Sequence, residues 1–353
     1  MPPLKRHIVN RIQANGPMTL AEYMSVCLLH PEHGYYTTQT ALGADGDFIT
    51  APEISQMFGE LVGLSLAQAW LDQGAPSPFM LLELGPGRGT LMADIQRATA
   101  RVPGFHDAAQ LHLVEASPRM RAAQKSALPD ADPIWHDDLS TLPDLPTFAV
   151  ANEFFDALPI RQFQRGQDGW SERVVGLDGD ALTLGLTADA PLAPLEHRMA
   201  DTKDGDIVET CATAEAIIDA LTAKIADHGG AALVIDYGDW HSLGDTFQAL
   251  RGHKTTDPLA DPGLADLTAH VDFEALAKAA RCAHSRLTPQ GVFLERLGIT
   301  QRAQALATRM SGPALEAHIA AHRRLTHPEE MGHLFKVLGF YPEGATPPPG
   351  VEA

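Results

Sequence analysis

The rhythm of apolar positions changes near residue 79. Before it, apolar residues recur at three- and four-residue steps; after it, short unbroken apolar runs alternate with longer amphipathic stretches. Residues 4–30 predict helix, with Thr19 and Glu22 spaced as a capping box around Leu20, Ala21, Tyr23 and Met24. A polar, glycine-rich loop follows, from His33 through Gly43, Gly46 and Asp47. Ile54, Met57, Phe58, Leu61, Val62, Leu66 and Trp70 then place one buried face on a helix over 53–72.

Beyond that point, 79–84, 111–115, 134–136, 148–152 and 232–236 predict strands, and 90–100, 118–127 and 212–228 predict helices. This alternation predicts an α/β fold of the Rossmann-like kind, with a mostly parallel, seven-stranded sheet covered on both faces. About 80 residues separate the fourth and fifth strands, far more than a usual connection. Within them 161–164, 170–176 and 181–186 alternate around Gln167-Asp168-Gly169 and Asp178-Gly179, which predicts an antiparallel meander. Residues 252–266 predict a loop, 299–325 helix, and 334–340 a closing strand; the Pro- and Gly-rich tail 342–353 predicts disorder. The expected organisation is therefore a helical extension over 1–78 and a core over 79–159 and 229–341 with a helical insert at about 297–326. An inserted α+β subdomain over 160–228 completes it.

Charge narrows the partners. A net charge of −19 repels phosphate backbones, so nucleic acid is not an expected partner, whereas a basic side chain on another protein is. The three cysteines, Cys27, Cys211 and Cys282, have no CxxC spacing and read as thiols in a reducing compartment. No apolar run approaches the roughly 18–20 residues of a membrane span, and the basic N-terminus has no apolar h-region. A cytoplasmic, bacterial-type protein is expected, without membrane insertion. Composition leaves the oligomeric state open.

The strongest chemical signal is the strand 79–84 running into Gly85, Gly87 and Gly89, with a helix after it. Glycines let the chain turn tightly and let a ligand approach the backbone. A dinucleotide pyrophosphate favours GxGxxG, and an acid nearby would repel it. Here the spacing is GxGxG and Glu83 stands two residues before the first glycine, which suits the cationic amino acid end of S-adenosylmethionine (SAM). Pro86 and Thr90 belong to the same turn. Glu115, followed by Ala116, ends the second strand, where a carboxylate can accept both ribose hydroxyls. Asp137, Asp138 and Leu139 follow the third strand, where an acid can take the adenine amino group. Asn152 ends the fourth strand, and Glu153, Phe154, Phe155 and Asp156 follow, offering acceptors and an apolar wall; paired carboxylates can grip a guanidinium bidentately.

Four stretches carry a family resemblance: Gly46-Asp47-Phe48-Ile49-Thr50-Ala51-Pro52-Glu53-Ile54-Ser55, ELGPGRGTLMADI at 83–95, NEFFDALP at 152–159, and Ala265-Asp266-Leu267-Thr268-Ala269-His270-Val271-Asp272-Phe273. In this order they resemble the MidA-like SAM-dependent methyltransferases, a family that includes the mitochondrial complex I assembly factor. The resemblance implies a class I methyltransferase fold and, for the mitochondrial member, symmetric dimethylation of an arginine on a complex I subunit. It implies that Glu83, Gly85, Gly87 and Gly89 hold the methionine end of SAM and Glu115 the ribose. Thr50, Pro52 and Glu53 would belong to a lid over the cofactor, and Glu153, Asp156 and His270 to the acceptor side. The segment 246–253 is poorer in Tyr and Arg than that family leads one to expect.

Two rival readings share the same sheet or cofactor. An NAD-dependent oxidoreductase is opposed by GxGxG and Glu83, and a SAM-binding assembly scaffold would carry an identical cofactor site. A nucleic-acid methyltransferase is disfavoured by the acidic balance and by the lack of Asn-Pro-Pro-Tyr at strand four. His318 and His322, spaced i, i+4, lack an HExxH glutamate and read as a solvated helix face, so no metal is expected.

Overall fold

The computed structural model describes residues 1–38 and 50–353. The chain divides into two compact units: Met1–Phe48, Asp156–Ala214 and His241–Asp272 form the first; Ile49–Phe155, Glu215–Trp240 and Phe273–Ala353 form the second.

The second unit is built on strands β1 (Phe79–Leu84), β2 (Ala109–Val114), β3 (Ile134–His136), β4 (Thr147–Asn152), β5 (Gly230–Asp239), β6 (Ala283–His284) and β7 (Phe335–Tyr341). Their order is β6-β7-β5-β4-β1-β2-β3, and a further two-residue strand, Thr288–Pro289, also pairs with β7, so the sheet has more strands than the seven expected. The run from β5 to β3 is parallel, and β7 returns antiparallel to β5. All six residues of β1 and of β4 are buried, as unbroken apolar runs in a covered parallel sheet should be. Helices α1 (Gln56–Asp72), α2 (Thr90–Thr99) and α3 (Pro118–Ala127) follow the predicted stretches. Phe79 packs Trp70, Phe105 and Phe148 around itself at ring separations of 5.0–5.6 Å. The parallel order puts the ends of β1, β2, β3 and β4 on one edge, where open α/β sheets bind ligands.

The first unit carries helices Pro3–Asn15 and Leu20–Leu29 and an antiparallel sheet containing Arg161–Arg165, Trp170–Asp178, Ala181–Leu186 and Ile207–Thr210. Its core gathers Ile8, Leu20, Tyr23 and Met24 with Val175, Ala249 and Leu267. Trp170 is buried among Phe163, Leu195 and Val208.

Several boundaries differ from the pattern-based reading, each for a local reason. The helix expected over 4–30 is two helices, because Gly16 leaves the first in a positive-φ conformation (87°) and Pro17 follows. Thr19 then caps the second, with the reciprocal capping box formed to Glu22. The helix expected over 53–72 breaks at Ser55, whose hydroxyl accepts from Met57 N. The helix over 299–325 is Ile299–Ala307 and Gly312–Thr326. The loop expected at 252–266 contains a strand, Lys254–Thr256, paired with Gln248–Arg251. The tail is not disordered: Val351 is 7% exposed within the core, and Glu352 binds Arg296 and accepts from Arg286 N. Its Pro and Gly content excludes helix and strand, but one apolar anchor suffices to dock it.

Candidate functional site

Gly85 N donates to Val114 O at 3.0 Å and Gly89 N to Pro86 O at 2.7 Å, closing the turn after β1. Gly85 has φ +62°, and a Cβ there would lie 2.6 Å from Phe154 Cδ2. Gly89, at φ +86°, is the left-handed cap of α2; a Cβ there would come within 3.3 Å of Gln124 and Ala127 on α3. The first glycine makes room for Phe154 and the third for helix α3. Pro86 is buried in the turn and Arg88 is exposed.

Glu83 is buried, and its Oε2 has no hydrogen-bond partner among the described residues. Burial pushes its carboxyl up to about 8. A buried acceptor left open two residues before the first glycine has room for a donor such as an ammonium group. Glu115 is half-buried: Oε1 accepts from Ser117 N at 2.8 Å and Oε2 from Gln124 Nε2 at 3.1 Å. Burial raises its carboxyl too. The open acceptor and the oriented carboxylate fit the amino acid and ribose ends of SAM.

A ligand ammonium held at Glu83 would make binding pH-dependent. Its raised value favours the protonated form in the ligand-free protein, and a bound ammonium requires the carboxylate. Affinity for S-adenosylhomocysteine should rise from pH 6 to 8, by at most about tenfold per unit, and the rise should vanish in Glu83→Gln, as titration at three pH values will read. Glu83's own contribution to the stability of the ligand-free protein should move oppositely: it is fully present below about pH 4.5, the ordinary value, and is lost as pH rises through about 8, because the buried carboxyl must ionise.

Asn152 is buried, and its Oδ1 has no hydrogen-bond partner among the described residues. Glu153 follows with φ +50°, a left-handed conformation that a side chain adopts only under strain. Asp236, fully buried on β5, holds this turn: Oδ2 accepts from Phe154 N at 3.2 Å and Phe155 N at 2.9 Å. Glu153 Oε1 accepts from Ala51 N and from Asn152 Nδ2, both at 3.0 Å. Glu53 Oε1 accepts from Thr90 Oγ1 at 2.7 Å. Thr50 stands at the N-cap position of the short helix Ala51–Ile54 without a side-chain capping bond, and Pro52 in that helix is buried; the bonds of Glu53 and Ala51 tie the segment to the glycine turn and to Glu153. Gly46–Ile49 of the same motif lie outside the described residues.

The adenine-side acids are occupied otherwise. Asp137 is exposed and pairs with Arg121 Nη2 at 2.5 Å; Asp138 accepts from Ser140 N at 2.8 Å as the cap of the turn Leu139–Thr141. Ala116 is exposed and Leu139 half-buried. Asp156 and His270 belong to the first unit. There Ala269 N donates to Asp156 O at 3.0 Å, and His270 N donates to Thr246 Oγ1 at 2.8 Å. His318 Nε2 lies 3.0 Å from Ala303 O, and His322 Nε2 lies 3.1 Å from Thr300 Oγ1.

Gln124 is the functional residue that the sequence hid. It is fully buried, and its amide nitrogen donates to Gly87 O at 2.8 Å and to Glu115 Oε2 at 3.1 Å. Its Oε1 accepts from Trp135 Nε1 at 2.8 Å. One side chain thus joins the glycine turn, Glu115 and strand β3. In the stretch RAAQKSA it reads as one more polar helix residue, and no local pattern marks it. Gln124→Leu keeps the volume and removes the bonds; S-adenosylhomocysteine affinity should fall about tenfold by calorimetry.

A parallel sheet with this glycine turn and these acids at its carboxyl edge defines a class I SAM-dependent methyltransferase. Residues 61–292 match the family model for S-adenosyl-L-methionine-dependent methyltransferases, and the chain belongs to that family. It is 37% identical over 373 residues to the mitochondrial protein arginine methyltransferase NDUFAF7 of Homo sapiens, covering 96% of this chain and 83% of that protein. The Xenopus laevis counterpart is 37% identical over 369 residues, covering 96% and 84%. A crystal structure from Burkholderia thailandensis bound to S-adenosyl-homocysteine superposes with a TM-score of 0.81 at 28% identity, covering 99% of this chain and 92% of that one. The chain is an enzyme, and its methyl donor is SAM.

Proposed function

We propose that this enzyme methylates an arginine nitrogen of a protein partner. The observation that carries the reading is Glu153, a carboxylate held at the end of β4 on a strained backbone, in a chain of net charge −19. The arginine methyltransferase names of the relatives support it.

SAM supplies an electrophilic methyl group on a sulfonium. As the new nitrogen–carbon bond forms and the sulfur–carbon bond breaks, the sulfonium becomes a thioether and the guanidinium releases one proton. Guanidinium is always protonated near neutrality and is a weak nucleophile, so the chain must orient it and offset its charge. Glu153 and Asp156 take that task, with His270 on the acceptor side. Asp137 or Asp138 would serve the adenine amino group after exchanging its present partner. A respiratory complex I subunit or a similar partner as the acceptor follows from the family resemblance. A cytoplasmic location is retained on the sequence reading alone; the relatives' names place those proteins in mitochondria.

Two steps test this. Calorimetry should give micromolar binding of S-adenosylhomocysteine, none of NADH, and a loss of about tenfold or more in Glu115→Ala. Incubation with SAM and purified respiratory subunits, read by mass spectrometry, should then give methylarginine together with S-adenosylhomocysteine. Cofactor binding without any partner-dependent product would favour a scaffold and sink the catalytic reading.

A further inference from the structure

In the first unit, strand Asp266–Thr268 pairs with Gln248–Arg251, and its side chains alternate between two faces. Leu267 enters the apolar core beside Ala249 and Tyr23. Asp266 and Thr268 therefore share the opposite face. Both are buried, at 4% and 2% exposure. Tyr36, from the short helix Tyr35–Thr38, donates its hydroxyl to Asp266 at 2.9 Å to Oδ1 and 3.2 Å to Oδ2. Asp156 is fixed next to this strand by the bond from Ala269 N to its carbonyl. The phenol of Tyr36 is pushed well above its ordinary value by burial, and the charges of Asp266 and Asp156 add to the shift. Both carboxylates thus act on one phenol.

A second, independent feature points to a ligand. Thr268 Oγ1 is buried with no hydrogen-bond partner among the described residues, on the same strand face as Asp266. An orphaned buried hydroxyl costs about 1–3 kcal/mol, and a donor from a bound group removes that cost. The acceptors present are two carboxylates and a hydroxyl beside an aromatic ring. A compact ammonium has three donors, whereas a guanidinium presents five in a plane and stacks on aromatic faces. Among the described residues no group of three or more His, Cys, Asp or Glu is placed to hold a metal ion.

We infer that Tyr36, Asp156, Asp266 and Thr268 form the binding cluster for the guanidinium of the acceptor arginine. The inference rests on the arginine reading above and assigns it further residues. Asp266 and Asp156 neutralise the charge, Thr268 accepts one N–H, and Tyr36 orients Asp266 while offering its ring.

The test does not require turnover. The chain has five tyrosines, so ring-13C tyrosine labelling gives few signals, and Tyr36 is assigned by its loss in Tyr36→Phe. With S-adenosylhomocysteine present, N-acetyl-arginine methylamide should shift the Tyr36 signal saturably, and the isosteric citrulline compound should not. Asp266→Asn should weaken the arginine response about a hundredfold and Thr268→Val about tenfold. Thr268→Val is the decisive variant, because removing an unpartnered buried hydroxyl should leave the melting temperature unchanged or raised. A melting temperature lowered by Thr268→Val with arginine binding intact would show a structural hydroxyl and overturn the inference. So would no Tyr36 response, or an equal response to citrulline. Methylarginine formed without a Tyr36 response sinks this cluster alone; a Tyr36 response without any methyl transfer sinks the arginine methylation reading and leaves the cluster standing.

Discussion

Gly85→Ala should weaken S-adenosylhomocysteine binding at least about thirtyfold, and by as much as several thousandfold, in a protein that still folds. The added methyl meets two obstacles. The φ of +62° places an L side chain in the left-handed region, at about 1–2 kcal/mol. The Cβ would also lie 2.6 Å from Phe154 Cδ2, far inside the 3.5–4.0 Å at which carbons attract. Phe154 cannot yield through its backbone, because Asp236 holds both its amide and that of Phe155. Its ring must swing instead, in the turn that carries Glu153, and overpacking of this kind costs about 1–3 kcal/mol. Together these come to roughly 2–5 kcal/mol at the cofactor turn. Gly179→Ala is the control: its φ is similar, +60°, but nothing lies within 4 Å of an added Cβ. Calorimetry of both variants should show the loss in Gly85→Ala only. Equal affinities would mean that Gly85 serves the turn and not the ligand's approach.

The parts of this molecule legible in the sequence are those fixed by neighbours along the chain. Strand β1 and the glycine turn are one continuous signal, because burial on both sheet faces demands an unbroken apolar run and the turn demands glycine. The capping box at Thr19 and Glu22 is equally local. Helix breaks proved harder: Ser55 is an ordinary residue in an amphipathic window, and only its hydroxyl's bond to Met57 N ends one helix and starts the next. Composition misleads for the tail because it weighs twelve residues together, while docking rests on Val351 and on the bonds of Glu352 to Arg296 and Arg286. In the site, Glu83 and Glu115 could be placed by their distance from the glycines. Gln124 and Tyr36 could not, because the bond from Gln124 to Gly87 spans 37 residues and that from Tyr36 to Asp266 spans 230. Such bonds leave no periodicity behind them.

Glu153→Gln should lower turnover about a hundredfold to a thousandfold while S-adenosylhomocysteine affinity stays within about threefold. The amide keeps an oxygen where Oε1 now accepts from Ala51 N and Asn152 Nδ2, so the Thr50–Glu53 segment stays tied down. What disappears is the negative charge that orients the guanidinium and offsets its cation. Glu153→Ala removes both contributions, and it should weaken cofactor binding as well as turnover. The backbone supplies a third comparison. Glu153 is held at φ +50°, and strain of this kind, about 1–3 kcal/mol, persists where the site requires the geometry. Glu153→Gly relieves the strain, so the melting temperature should hold or rise although the bond to Ala51 is lost, while methyl transfer collapses. A glycine variant that loses stability would place Glu153 among the residues that hold the fold together. A glutamine variant with full turnover would remove it from the chemistry.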